Sequence, residues 1–186
     1  MTLRLILLIF SVVVIGSVEV VADPEVCDVG ADLGGIGDMR KWEIEEEAYK
    51  CEEIEDPRPI HNESTWAYLR GVYVEIVGLE KSTLSADRSA SGFQVPFYVG
   101  WGPEVGRTVY AGADIQKGSV VLDAEVQNAQ FQTGNDFRRF LAALPKDLAC
   151  DVLMWAYVAE YDGLKIAVDL DEGSFLNSYD TPNAQL

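Results

Sequence analysis

The sequence predicts an α+β fold in which short strands form small sheets and helices are inserted between them. Three stretches carry that prediction. Gly106–Val121, GRTVYAGADIQKGSVV, mixes β-branched and aromatic residues with permissive glycines, the composition of strands joined by tight turns. Asp136–Trp155 carries apolar residues at helical spacing, broken once by Pro145. Asp162-Gly163 stands between two runs of period-two apolar residues and is the strongest hairpin signal in the chain.

At 186 residues the chain suits one domain plus an extension, and 48% hydrophobic content is enough for a buried core. The net charge of −17 argues against nucleic acid, because phosphate binding needs clustered Lys and Arg. An acidic surface favours cationic partners such as basic peptides, polyamines or calcium, and it also keeps a protein in solution.

Met1–Arg4 carries one positive charge, Leu5–Val18 is almost wholly apolar, and Ala22 offers a small residue before Asp23. That is the layout of a secretory signal peptide over residues 1–22, cleaved after Ala22, and it predicts secretion. The alternative is a membrane anchor over residues 5–22. Glu19 breaks that run short of the roughly 20 apolar residues a span needs. In an oxidising compartment Cys27, Cys51 and Cys150 allow one bridge. Cys27 and Cys51 flank one acidic segment and are expected to pair, with Cys150 a buried free thiol in an apolar run. His61 is the only histidine, so a Cys/His zinc cluster is not expected, and no metal is predicted. Asn62-Glu63-Ser64 is a glycosylation sequon, which makes Asn62 a candidate glycan acceptor.

The remaining elements follow in order. Residues 23–59 are rich in Asp and Glu and read as a solvated cover or linker, with a short helix over Arg40–Cys51 that aligns Ile44, Ala48 and Cys51. The globular domain spans 60–186. Trp66, Leu69, Tyr73 and Ile76 predict a helix capped by Ser64, although Val72, Val74 and Val77 pull toward strand. Leu79–Gly92 reads as loop, and Phe93–Trp101 as a strand that Pro96 edges or interrupts. The glycines at 100, 102 and 106 do not make a dinucleotide loop, since Pro103 and Glu104 crowd it and a strand follows. Thr108–Ala111 and Ser119–Leu122 are expected to pair around a corner at Lys117-Gly118. Asn135 is the expected cap of a helix over Asp136–Leu144, Pro145 restarts it as Lys146–Trp155, and Ala156–Tyr161 pairs with Leu164–Leu170.

Two of these stretches also carry a likeness. Gly106, Val109, Tyr110, Ala111, Asp114, Ile115 and Gly118 fit the first motif of the SET domain, with Thr108 where the family has its second glycine. Phe175, Leu176, Asn177, Pro182 and Asn183 fit its second motif, with Ser178 for histidine and Asp180 for cysteine. Over residues 93–186 the chain therefore resembles the SET family of protein-lysine methyltransferases. The resemblance implies a SET-like fold that binds S-adenosylmethionine in a cleft floored by the two motifs. Gly106, Arg107, Thr108, Asn177 and Ser178 would be the cofactor-binding residues, and a protein or peptide lysine would enter from the opposite face. The family's third motif, which supplies a channel tyrosine, has no counterpart before Leu186. The first class this implies is an S-adenosylmethionine-dependent protein-lysine methyltransferase or a truncated relative of one; no catalytic residue is assigned, and the chain as given is expected to keep weak cofactor affinity without methylating lysine. The second class is a secreted, non-catalytic acidic binding module that keeps the same fold. Asp169, Asp171 and Glu172 lack the further oxygen ligands and closing glutamate of a calcium loop. His61 and Ser64 lack the elbow motif of acyl-transfer nucleophiles.

Overall fold

Trp66, Leu69 and Tyr73 recur on one helical face, and all three are fully buried along helix α2, Glu63–Val77, in a computed structural model that describes residues 36–160 and 164–177. The cap is Asn62 rather than Ser64. Asn62 has extended backbone and its Oδ1 accepts from Thr65 N at 3.1 Å, whereas Ser64 is already in the first turn and donates its hydroxyl to that same oxygen at 2.5 Å. The β-branched residues lose to this capped, amphipathic periodicity, and Gly78 ends the helix at φ +86°. Tyr73 then ties the helix to its neighbours: its hydroxyl donates to Gln130 O at 3.0 Å and accepts from Thr83 N at 3.3 Å.

The first sheet is a hairpin, but not the expected one. Strand β1, Phe97–Gly102, pairs antiparallel with β2, Gly106–Ala111, from Phe97↔Ala111 to Gly102↔Gly106. Pro103-Glu104-Val105 make the connection, and Gly106 closes it at φ +70°, which only glycine adopts without strain. A Cβ on Gly102 would lie 2.5 Å from Val105 Cγ2. This local pairing displaces the one expected between Thr108–Ala111 and Ser119–Leu122. Lys117-Gly118 does form a turn, with Gly118 at φ +90° and Ser119 N donating to Gln116 O at 3.1 Å, but it sits in an exposed loop. The segment after it meets Gly92–Gln94 instead: Gln94 N donates to Val121 O at 2.9 Å and Asp123 N to Gly92 O at 2.7 Å.

The second sheet has the order β3-β5-β4, antiparallel throughout. Strand β4, Tyr157–Glu160, and β5, Leu164–Asp169, are the hairpin that Asp162-Gly163 marks, although residues 161–163 lie outside the described ones. Strand β3, Asn128–Phe131, was not expected. It pairs with β5 from Asn128↔Asp169 to Phe131↔Ile166 and places Phe131 among Tyr73, Phe137 and Phe140, each ring centroid 5.2 Å away. Helix α3, Gly134–Ala142, supplies two of those rings. It is capped by Thr133, whose Oγ1 accepts from Asp136 N at 3.1 Å, and not by Asn135. Helix α4, Lys146–Trp155, restarts behind Pro145 as its spacing predicts and buries Ala149, Cys150, Val152 and Leu153.

The acidic segment is more than a linker. From Ile36 onward it packs on the core through Ile36, Ile44 and Cys51. The expected helix over Arg40–Cys51 is three short turns: α1 at Lys41–Glu43, a wide turn over Ile44–Ala48, and a tight one at Cys51–Glu53. Lys50 separates the last two in a left-handed conformation, φ 48°. Tyr49 donates to Leu141 O at 3.0 Å and Arg138 Nε to Met39 O at 3.2 Å, so hydrogen bonds fasten this cover from both sides. Cys51 is bonded to Cys150, with Cα atoms 5.5 Å apart. This corrects the expected pairing of Cys27 with Cys51 and the expected free thiol at Cys150. The cover lies on α4 and brings Cys51 to that helix, a proximity no sequence interval displays. Among the described residues no helix is long and apolar enough to cross a membrane.

Candidate functional site

Helix α4 is apolar on its buried face except at Asp151, which is 2% exposed. A carboxylate so placed must be matched by donors, and three side chains supply four hydrogen bonds to it. Arg107, from β2, grips it with two parallel bonds, Nη1 to Oδ2 and Nη2 to Oδ1, each 2.7 Å. Arg58 Nη1 donates to Oδ1 at 2.9 Å, and His61 Nε2 lies 2.6 Å from Oδ2. The same cations reach the cover's backbone: Arg107 Nη1 donates to Pro59 O at 3.2 Å and Arg58 Nη2 to Cys51 O at 3.1 Å. The Arg107 guanidinium also rests against the rings of Trp155 and Phe175, 5.2 and 5.1 Å from their centroids. His61 is edge-on to Trp66 and Trp155.

Burial pushes the Asp151 carboxyl up, but the hydrogen bonds from Arg107, His61 and Arg58, with the charge of Arg107, outweigh it and hold the group well below the usual carboxylate range. Asp151 is therefore a fixed anion rather than a base. A groove of about 600 Å³ opens above the cluster, bordered by Glu53, Arg58, His61, Thr65, Lys146 and Asp151.

The expected cofactor residues divide around this cluster. Gly106, Arg107 and Thr108 lie together on β2, and the Arg107 carbonyl accepts from Asn177 Nδ2 at 3.2 Å, which brings the two motif segments into contact. Asn177 is exposed, and the tight turn Glu172–Phe175 just before it packs against β2. Ser178 lies outside the described residues, as do Cys27, Pro182 and Asn183. The Arg107 side chain is turned inward to Asp151, and the residue as a whole is buried. Sequence reasoning passed over Asp151, Arg58 and the role of His61. The available signal was a single acid in the apolar run Leu148–Trp155, since a buried carboxylate demands cationic partners.

The acidic loop after β5 is used internally. Asp171 accepts from Gly173 N at 2.8 Å and from Gly92 N at 2.9 Å, and Asp169 accepts from Asn128 Nδ2 at 2.7 Å. Burial raises the Asp169 carboxyl above its ordinary value; the Asn128 bond opposes that and the Asp171 charge adds to it. Among the described residues no group of three His, Cys, Asp or Glu side chains is arranged to hold a metal ion. Asn62, the expected glycan acceptor, is exposed, and its capping bonds use Oδ1.

Chemically, the β2–Asn177 junction offers backbone groups and one amide beside a rigid ionic anchor. Such groups can hydrogen-bond a polar ligand. No protein-family model, curated protein or solved structure matches the chain.

Proposed function

We propose that this chain is a SET-like domain whose surface at Gly106–Thr108 and Asn177 takes S-adenosylmethionine. The observation that carries the reading is the Asn177–Arg107 hydrogen bond, which joins segments 70 residues apart. These are the two stretches that the likeness requires to meet. The residues present fit a backbone-lined cofactor site: Gly106 has positive φ, and Arg107 keeps its side chain out of the way. When bound, the cofactor would supply an electrophilic methyl group. The chain's own part is to bind and orient: the Asn177 amide holds polar groups, and the β2 backbone allows close approach.

Titration calorimetry of S-adenosylmethionine into the full chain should give saturable binding that Asn177→Ala weakens by about 1 kcal/mol, the usual worth of one hydrogen bond. Absence of saturable heat would remove the cofactor reading, and a radiolabel assay on lysine-rich peptides separates a methyltransferase from a binding module.

A second reading, an acidic binding module for cationic partners, is favoured by the exposed carboxylates Glu46, Glu47, Glu52, Glu53, Glu55 and Asp56 along the cover. It calls for binding of basic peptides that declines steeply with salt. Salt-independent binding, or none, would count against it.

A further inference from the structure

We propose that Asp151 is a positioning residue for the surface formed by Gly106–Thr108 and Asn177, acting through Arg107. The inference rests on the cofactor reading above for the ligand, but not for the mechanical link. Arg107 is held at both ends. Its guanidinium is fixed by the paired 2.7 Å bonds to Asp151 and by the rings of Trp155 and Phe175, while its carbonyl holds Asn177 at 3.2 Å. Phe175 is itself two residues from Asn177, so Arg107 touches the second motif segment through both its side chain and its backbone.

A planar fork fits this position as an ammonium would not: two parallel bonds set the orientation of the side chain as well as its distance. With the Asp151 side chain only 3% exposed and that of Arg107 only 7%, little water is present to take over either bond. Arg58 and His61 share the carboxylate, but among the described residues neither hydrogen-bonds the β2 backbone or Asn177, and Arg58 ties the anchor to the cover at Cys51 O. Asp151 is thus the group whose loss transmits to the outward surface.

The test uses the full chain, isotope-labelled and folded under oxidising conditions, as parent, D151N, D151E and R107K. In folded D151N and R107K the side-chain amide resonance of Asn177 should shift. That of Asn128, held by Asp169 and Tyr157 in the other sheet, should stay in place. S-adenosylmethionine Kd should rise about tenfold, the lower range for removing a partner that orients a binding group. D151E, which keeps the charge, should recover part of both effects. Should D151N fail to fold, R107K, which keeps the cationic charge, carries the test. An unmoved Asn177 signal with unchanged affinity in folded variants overturns the proposal. A parent that binds no S-adenosylmethionine overturns the cofactor reading, and the Asn177 signal then still decides whether Asp151 positions that residue.

Discussion

Removing the Cys51–Cys150 bond should cost this protein much of its stability. The two residues are 99 apart in sequence, so the bridge closes a loop of about 100 residues. Chain-entropy arithmetic for such a loop gives about 4.7 kcal/mol at room temperature, against about 3.5 kcal/mol for a loop of roughly 25 residues such as Cys27–Cys51 would close. Domains of this kind are stable by about 5–15 kcal/mol in total, so the loss would bring the protein near its limit. Alanine is the better replacement, since both sulfurs are buried and a serine hydroxyl there would need a partner. Urea unfolding of C51A/C150A, followed by far-UV circular dichroism beside the oxidised parent, should show a loss of about 4–5 kcal/mol. A loss below about 1 kcal/mol would refute the entropic reasoning, because the constraint on the unfolded chain would then be too small to matter. Non-reducing peptide maps that join Cys51 to Cys27 would refute the pairing itself.

Acid titration of stability should separate the buried Asp151 from the half-buried Asp169. Asp151 has a depressed folded-state pKa, so its contribution is complete above about pH 3.9, the unfolded carboxylate value, and is lost as pH falls through the folded value. D151N should flatten that acid limb and cost about 3–5 kcal/mol at neutral pH, the range for leaving buried charges unpaired; an unchanged limb would count against the cluster. Asp169 has a raised pKa, so its contribution is complete below about pH 3.9 and is lost as pH rises through the folded value. D169N should accordingly be more stable than the parent at pH 7 and converge with it near pH 3; a uniform offset at all pH values would contradict the sign. At Asn62, N62D should keep the cap of α2 while N62A loses about 1 kcal/mol of stability. Secreted from a eukaryotic host, the parent should shift on endoglycosidase treatment and N62D and S64A should not.

The helices were legible because their signal is local. Trp66, Leu69 and Tyr73 on α2 announce a buried face by spacing alone, whereas on α4 the spaced residues Leu148, Val152 and Trp155 put Val152 in the core and Leu148 and Trp155 at its margin. Caps were misplaced by two residues because Thr133 and Asn62 compete with equally good neighbours, Asn135 and Ser64, and only backbone conformation decides between them. Strand β3 was illegible: Asn-Ala-Gln-Phe has poor strand propensity and becomes a strand because β5 offers its edge. The first hairpin was misread because two turns of comparable chemistry follow one another, and Pro103–Val105 closes the shorter loop. In the candidate site, Arg107 and Asn177 came from motif likeness, whereas Arg58 and His61 meet Asp151 across 93 and 90 residues. Such convergence is a property of the packed chain and leaves no periodicity behind.

The cover's dependence on helix α4 sets a timetable for biosynthesis. Cys51, Arg58 and His61 emerge from the ribosome long before Cys150 and Asp151, the residues that receive them. At about 5–20 residues per second, the 99 residues between the two cysteines take roughly 5–20 s to appear. Throughout that interval Cys51 lacks its native partner, and Cys27 is the other cysteine already in the nascent chain. A bridge made early would therefore be non-native, and reaching the folded protein would require thiol exchange once α4 is complete. Yield in a host should then follow its disulfide-isomerase capacity more closely than its oxidising power.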